Sequence, residues 1–268
     1  MSMTTKTATS AFPRSVMRGD YDLYDRLTDA IGERSSFRLA YDGTEIELTT
    51  LGPKHEDISD LLSLFVTTVA VELYIDVRGL GATTWKRREV NRGIEADRCY
   101  YFDPVKLETA RDLESNDVGD YRNPDLAIEV DISIPLIDRP AIYSALKVSE
   151  VWRWEEESIT IEQLGHNGAN NAATVSRFLP VAPDEVRLWI GKGLVLSRRD
   201  WLPALSAWVQ KELKPRVAPS LDPLDQWLSS SVHALKADHQ PQVQEIIIHL
   251  YGLWRAIECM RCSGHRIA

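Results

Sequence analysis

Between His55 and Ile75 the residues Ile58, Leu61, Leu62, Phe65, Val69 and Leu73 recur three or four positions apart, the spacing of one apolar face of an α-helix. This is the strongest helical stretch in the chain, and Gly52-Pro53 stops the segment before it. Tyr21 to Ile31 repeats the pattern on a smaller scale, through Tyr21, Leu23, Tyr24, Leu27 and Ile31. Residues 1 to about 20 are rich in Thr, Ser and Ala, show no period, and read as a loose arm. From Phe37 the period falls to two. Phe37, Leu39 and Tyr41 alternate, Asp42-Gly43 is a turn dipeptide, and Ile46 and Leu48 alternate again, so Phe37 to Thr50 is predicted to be a β-hairpin.

Val77 to Trp85 and Ala96 to Phe102 read as strands joined by the basic turn Lys86 to Gly93, with a helical turn expected over Val105 to Asp112. Asp125 to Ile132 is apolar at nearly every position except its charges, and a strand apolar on both faces belongs in the middle of a sheet. A short helix follows at Ile137 to Leu146, then a strand pair, Glu150 to Trp154 and Ser158 to Leu164, turning at 155–157. A short strand is expected at Ala173 to Phe178, and helices at Pro183 to Trp189 and Arg199 to Leu213. Strands before and after a helix, without strict alternation, predict a mixed α/β (α+β) fold with helices packed on a sheet. Pro215 to Asp222 has the composition of a linker. Beyond it, Pro241 to Met260 reads as a helix apolar over more than half its circumference, which needs a partner. The expected division is therefore 1–32 as arm and short helix, 33–213 as core, and 214–268 as a helical C-terminal extension.

Composition narrows this picture. With 268 residues, 44% hydrophobic and 26% charged, the chain is neither disordered nor collagen-like. Ser63, Thr67, Thr68 and Glu72 break its longest apolar segment, which falls short of the ~20 residues that cross a bilayer. No secretory signal stands in the first twenty residues, so no membrane association and a cytoplasmic location are expected. Three cysteines, Cys99, Cys259 and Cys262, give no disulfide framework, and stability must come from a packed core. A formal charge of −9 repels phosphate backbones at long range. Local basic groups, Lys86, Arg87, Arg88 and Arg92, or Lys192, Arg198 and Arg199, read first as solvated faces.

The candidate chemistry lies in charges set inside apolar strands. Asp97 precedes Cys99-Tyr100-Tyr101-Phe102, while Glu129 and Asp131 interrupt Leu126-Ala127-Ile128 and Val130-Ile132. A carboxylate in a sheet interior costs several kcal/mol unless it is paired or binds a cation. Glu129 and Asp131, two positions apart, share a strand face, where a hard divalent cation or a set of arginines would relieve their repulsion. Cys259, Cys262 and His265 supply too few ligands for a structural zinc site. His55, at the opening of the long helix, reads as a capping or hydrogen-bonded histidine, and Trp152, Trp154 and Trp189 as core.

Taken in order, Glu47, Gly52-Pro53-Lys54-His55-Glu56, Glu95-Ala96-Asp97, Asn123-Pro124-Asp125-Leu126-Ala127-Ile128-Glu129-Val130, Asp138-Arg139-Pro140-Ala141-Ile142-Tyr143 and Ser149-Glu150-Val151-Trp152 resemble the Uma2 family of restriction-endonuclease-like proteins. The resemblance spans roughly Phe37 to Trp208 and implies a PD-(D/E)xK nuclease core, a central mixed sheet flanked by helices. It implies a metal site in which Asp97 and Glu129 bind Mg²⁺ or Mn²⁺ and Glu47 completes the set. It also implies endonucleolytic hydrolysis of DNA, with a homodimer as the expected assembly. The family pattern calls for a lysine where this chain has Arg139. Arg stays protonated, so Arg139 would hold a phosphate rather than act as a base, and Lys147, two helical turns on, is the substitute to weigh. That departure keeps open a nucleic-acid-binding module that has lost cleavage. The acidic balance and the C-terminal helix keep open a structural or interaction protein.

Overall fold

The computed structural model describes residues 14–32, 36–112 and 118–217. The chain divides into two units, 1–217 and 218–268, and all of the described residues lie in the first. The linker beyond Val217, the helix expected at 241–260 and the Cys259, Cys262 and His265 group lie outside the described residues, and so does the basis of the expected homodimer.

The elements run β1 (Arg14–Arg18), α1 (Tyr21–Ile31), β2 (Phe37–Tyr41), β3 (Glu45–Thr50), α2 (Pro53–Glu72), β4 (Arg78–Arg87), β5 (Arg92–Tyr101), α3 (Pro104–Asp112), β6 (Leu126–Asp131) and α4 (Arg139–Ala145). They continue with β7 (Glu150–Glu155), β8 (Ser158–Leu164), β9 (Asn170–Ala172), α5 (Pro183–Gly193) and α6 (Arg198–Trp208). The strands form one mixed sheet in the order β1-β3-β2-β5-β6-β7-β8-β9, with β4 paired to β5. Only β6 and β7 run parallel, because α4 carries the chain back between them.

The sheet has two covered faces. Leu126, Ile128 and Val130 of β6 pack with Ile58, Leu61, Leu62, Phe65, Val66 and Val69 of α2 and with residues of α5 and α6. Ala127, one step out of phase, packs on the other face with Ile142, Tyr143 and Leu146. This is the two-sided burial that the apolar run of β6 requires. Each large side chain so buried contributes on the order of 1.5 to 3 kcal/mol.

The sheet forks at β5. β4 pairs along the whole of one edge of β5, so β2 and β6 share the other edge. β2 holds it at Gly93 and Ile94, whereas β6 holds it at Arg98, Cys99 and Tyr100. Glu95, Ala96 and Asp97 fall between the two partners. Here β5 also bulges, since Gly81 pairs Cys99 and Thr83 pairs Ala96, so two steps of β4 span three of β5. A bulge re-aims the side chains beside it, and this one adjoins Asp97.

Two segments depart from the sequence reading. Arg14–Arg18 is not a loose arm but an edge strand paired with β3, because Val16 enters the core and Arg14 is buried against carboxylates. The late strand lies at Asn170–Ala172, not at Ala173 to Phe178. There Ser176 Oγ and Arg177 N donate to the buried Glu150 carboxylate and Ser176 N donates to Val181 O, which commits that stretch to a loop. Among the described residues no helix is long and apolar enough to cross a membrane.

Candidate functional site

Five elements meet at the fork. β3 supplies Glu47 and Thr49, β5 supplies Asp97, β6 supplies Glu129 and Asp131, α4 supplies Arg139 and Tyr143, and β1 supplies Arg14. All four carboxylate residues are at most 5% exposed. Asp138 places the arginine: its side chain accepts from Ala141 N at 3.0 Å and caps α4, and Pro140 suits the first turn, so Arg139 opens the helix facing the sheet.

The Arg139 guanidinium joins the two arms of the fork. Its Nε and Nη2 donate to Glu47 Oε2 at 3.0 and 2.7 Å, and Nη2 also reaches Thr49 Oγ1 at 3.1 Å. Nη1 donates to Glu129 Oε2 at 2.6 Å and approaches Asp131 Oδ1 at 3.4 Å. A second guanidinium lies beside it. Arg14 Nη2 donates to Asp131 Oδ1 at 2.6 Å, Nη1 to Glu47 Oε2 at 3.2 Å and Nε to Ser133 Oγ at 2.8 Å. The Tyr143 hydroxyl donates to Glu129 Oε1, and Leu136 N to Glu47 Oε1 at 2.6 Å. Asp131 Oδ2 is buried and accepts no hydrogen bond.

Asp97 stands at the mouth of the fork, where its carboxylate replaces a ladder contact. Oδ2 accepts from Val130 N at 2.8 Å and pairs with His55 Nε2 at 3.0 Å, and Arg38 Nε lies 4.0 Å from Oδ1. Although burial opposes it, the bonds from His55 and Val130 N and the charge of Arg139 hold the Asp97 carboxyl below its usual range. His55 is shifted up despite its own burial, because Asp97 and then Glu56 favour the imidazolium. Glu129 moves the other way: burial pushes it up to about 7, against the opposing pull of Arg139, and the charges of Asp97 and Asp131 add to the rise.

All four residues expected from the sequence are thus accounted for. Glu47, Glu129 and Arg139 are in direct contact, and Asp97 acts on Glu129 and Arg139 electrostatically across the mouth of the fork. Arg14, Thr49 and Tyr143 join them without having been singled out, and His55 proves to be a partner of Asp97. Arg14 sits in an aperiodic stretch, so no spacing signal marks it. Lys147 does not join them. It is exposed after the end of α4, with a left-handed backbone (φ 59°), beside Gly168.

The donor set has the chemistry of a hard-cation site, all oxygen and negatively charged. Its arrangement does not fit one. Among the described residues no three His, Cys, Asp or Glu side chains stand where they could hold a metal ion together. Guanidinium groups lie between the carboxylates instead, and Arg139 is buried rather than turned to an open cleft. The basic turn after β4 offers no free cations either. Lys86 pairs with Asp25 and Asp29, Arg88 pairs with Asp22, and Arg87 donates to the carbonyls of Lys86, Val118 and Tyr121.

A mixed sheet flanked by helices, with acidic residues gathered on its central strands, defines a restriction-endonuclease-like fold. The model of the Uma2 family, "Putative restriction endonuclease", matches residues 21–187, more than half of the chain, which therefore belongs to that family. No curated protein matches it.

Proposed function

We propose that the chain is a DNA endonuclease, hydrolysing phosphodiester bonds at Glu47, Asp97, Glu129 and Arg139 with Mg²⁺ or Mn²⁺ as its cation. The gathering of carboxylates from β3, β5 and β6 at the fork of the sheet carries this reading. Four buried carboxylates are expensive to keep, and membership of a nuclease family gives them a use. Arg139 keeps its proton throughout, so its part is to hold a phosphate or a developing negative charge, and the working form requires it to release Glu47 or Glu129.

A second reading, DNA binding without cleavage, is favoured by the same arginine. Its Nε, Nη1 and Nη2 are all committed to acidic partners, which leaves the carboxylates neutralised from within.

Incubation of the purified protein with plasmid, single-stranded DNA and RNA, each in Mg²⁺, Mn²⁺ or EDTA, separates the two. Cleavage of DNA that needs the cation and is lost in Asp97→Asn is the expected result. A retarded but uncut DNA band supports the second reading. Neither binding nor cleavage overturns both.

A further inference from the structure

Arg14 lies outside the segment matched to the family, yet it is 2% exposed and engages carboxylates on both arms of the fork. It reaches Glu47 on β3 at 3.2 Å and Asp131 on β6 at 2.6 Å, and Ser133 just beyond β6 accepts from its Nε. The strand that carries it is an edge strand of five residues, paired only with β3 among the described residues. It therefore has one partner to lose, where a central strand has two.

We propose that β1 is a strap. Arg14 serves as an internal counter-cation that clasps the two arms of the fork and competes with a divalent cation for Glu47 and Asp131. This follows from the charge count. Glu47, Glu129 and Asp131 share Arg139 and Arg14, so withdrawing Arg14 leaves three carboxylates against one guanidinium. A buried excess of negative charge of that size attracts a cation. The absence of a preformed metal arrangement is then a property of the strapped form. The inference rests on the reading of this carboxylate group as the functional site.

Calorimetric titration of the full-length protein with Mn²⁺, with no DNA present, tests it. Arg14→Gln is expected to bind Mn²⁺ at least about tenfold more tightly than the parent, a floor for removing a unit charge a few ångström from an ion inside a protein. Arg14→Lys, which keeps the charge, is expected to bind like the parent. Folded Arg14→Gln with unchanged Mn²⁺ affinity overturns the strap, as does tighter binding that survives Glu47→Gln combined with Asp131→Asn.

Hydrogen exchange on the parent protein covers the case in which Arg14→Gln does not fold. Saturating Mn²⁺ should speed exchange at the β1 amides, residues 14–18, and unchanged exchange with Mn²⁺ bound overturns the proposal. Tighter Mn²⁺ binding by Arg14→Gln without DNA cleavage removes the nuclease reading and leaves the strap standing.

Discussion

Arg139 Nη2 lies 2.7 Å from Glu47 Oε2, although ninety-two positions separate the two residues. Their bond closes the fork between the arm that carries β3 and the arm that carries β6, and neither residue has water to fall back on.

Removing Arg139 should therefore be costly. Arg139→Ala is expected to destabilise the fold by about 3 to 5 kcal/mol, the usual penalty for stranding a buried ion pair's other members. Arg139→Lys keeps a cation but cannot span Glu47 and Glu129 with a planar fork of donors, so about half of that loss is expected. Urea denaturation of the three proteins in EDTA checks the order. In the cleavage assay Arg139→Lys should match or exceed the parent.

Tyr143 gives a smaller effect on the same group. Its hydroxyl donates to Glu129 Oε1 from a fully buried position, and Tyr143→Phe should cost about 1 to 3 kcal/mol. A double-mutant cycle with Glu129→Gln should show the two changes to be non-additive, since they remove ends of one bond. Additive effects would mean that the bond contributes nothing.

Glu150 provides a control outside the site. Its buried carboxylate accepts from Trp152 Nε1 at 2.7 Å, Ser176 Oγ at 2.5 Å, Gln163 Nε2 at 2.9 Å and Arg177 N at 2.6 Å. These bonds fasten the loop after β9 to β7. Glu150→Ala should lower stability by about 2 to 4 kcal/mol through the donors left unpaired. The ratio of bound Mn²⁺ to folded protein should not change.

Cys99 should be chemically quiet. Burial pushes its thiol up to about 11, with Trp85 Nε1 donating to the sulfur at 3.4 Å. A raised folded-state pKa means that the native chain holds its proton where the unfolded chain loses it. Stability from this group is present below the unfolded value of about 8.5 and declines as pH rises towards 11. At pH 8 iodoacetamide should label Cys99 in urea and leave it unlabelled in the native protein, as read by mass spectrometry of its peptide.

The legibility of this structure in its sequence was uneven for physical reasons. The period of α2 and the two-faced apolar run of β6 declare themselves because burial imposes a pattern on many consecutive residues. Glu47, Asp97, Glu129 and Arg139 could be singled out because each interrupts an apolar strand or occupies a family position. Arg14 could not, since one buried arginine in an aperiodic edge strand leaves no pattern. The bulge in β5 is likewise invisible in the alternation of its side chains, although it adjoins Asp97 and helps set its direction. The pairing of Lys86 and Arg88 with Asp22, Asp25 and Asp29 was readable in part, because those aspartates recur at three and four along α1 and form one acidic stripe.

The fork also bears on where this domain begins. The family match starts at Tyr21, and a fragment cloned from that residue would keep α1, the hairpin and every family position while discarding β1. Such a fragment would carry the acidic cluster without one of its two neutralising arginines and would expose the far edge of β3 to pairing with other molecules. Poor solubility or unusual metal affinity in that product would reflect the cut and not the native protein. An expression fragment faithful to this site has to start upstream of Arg14.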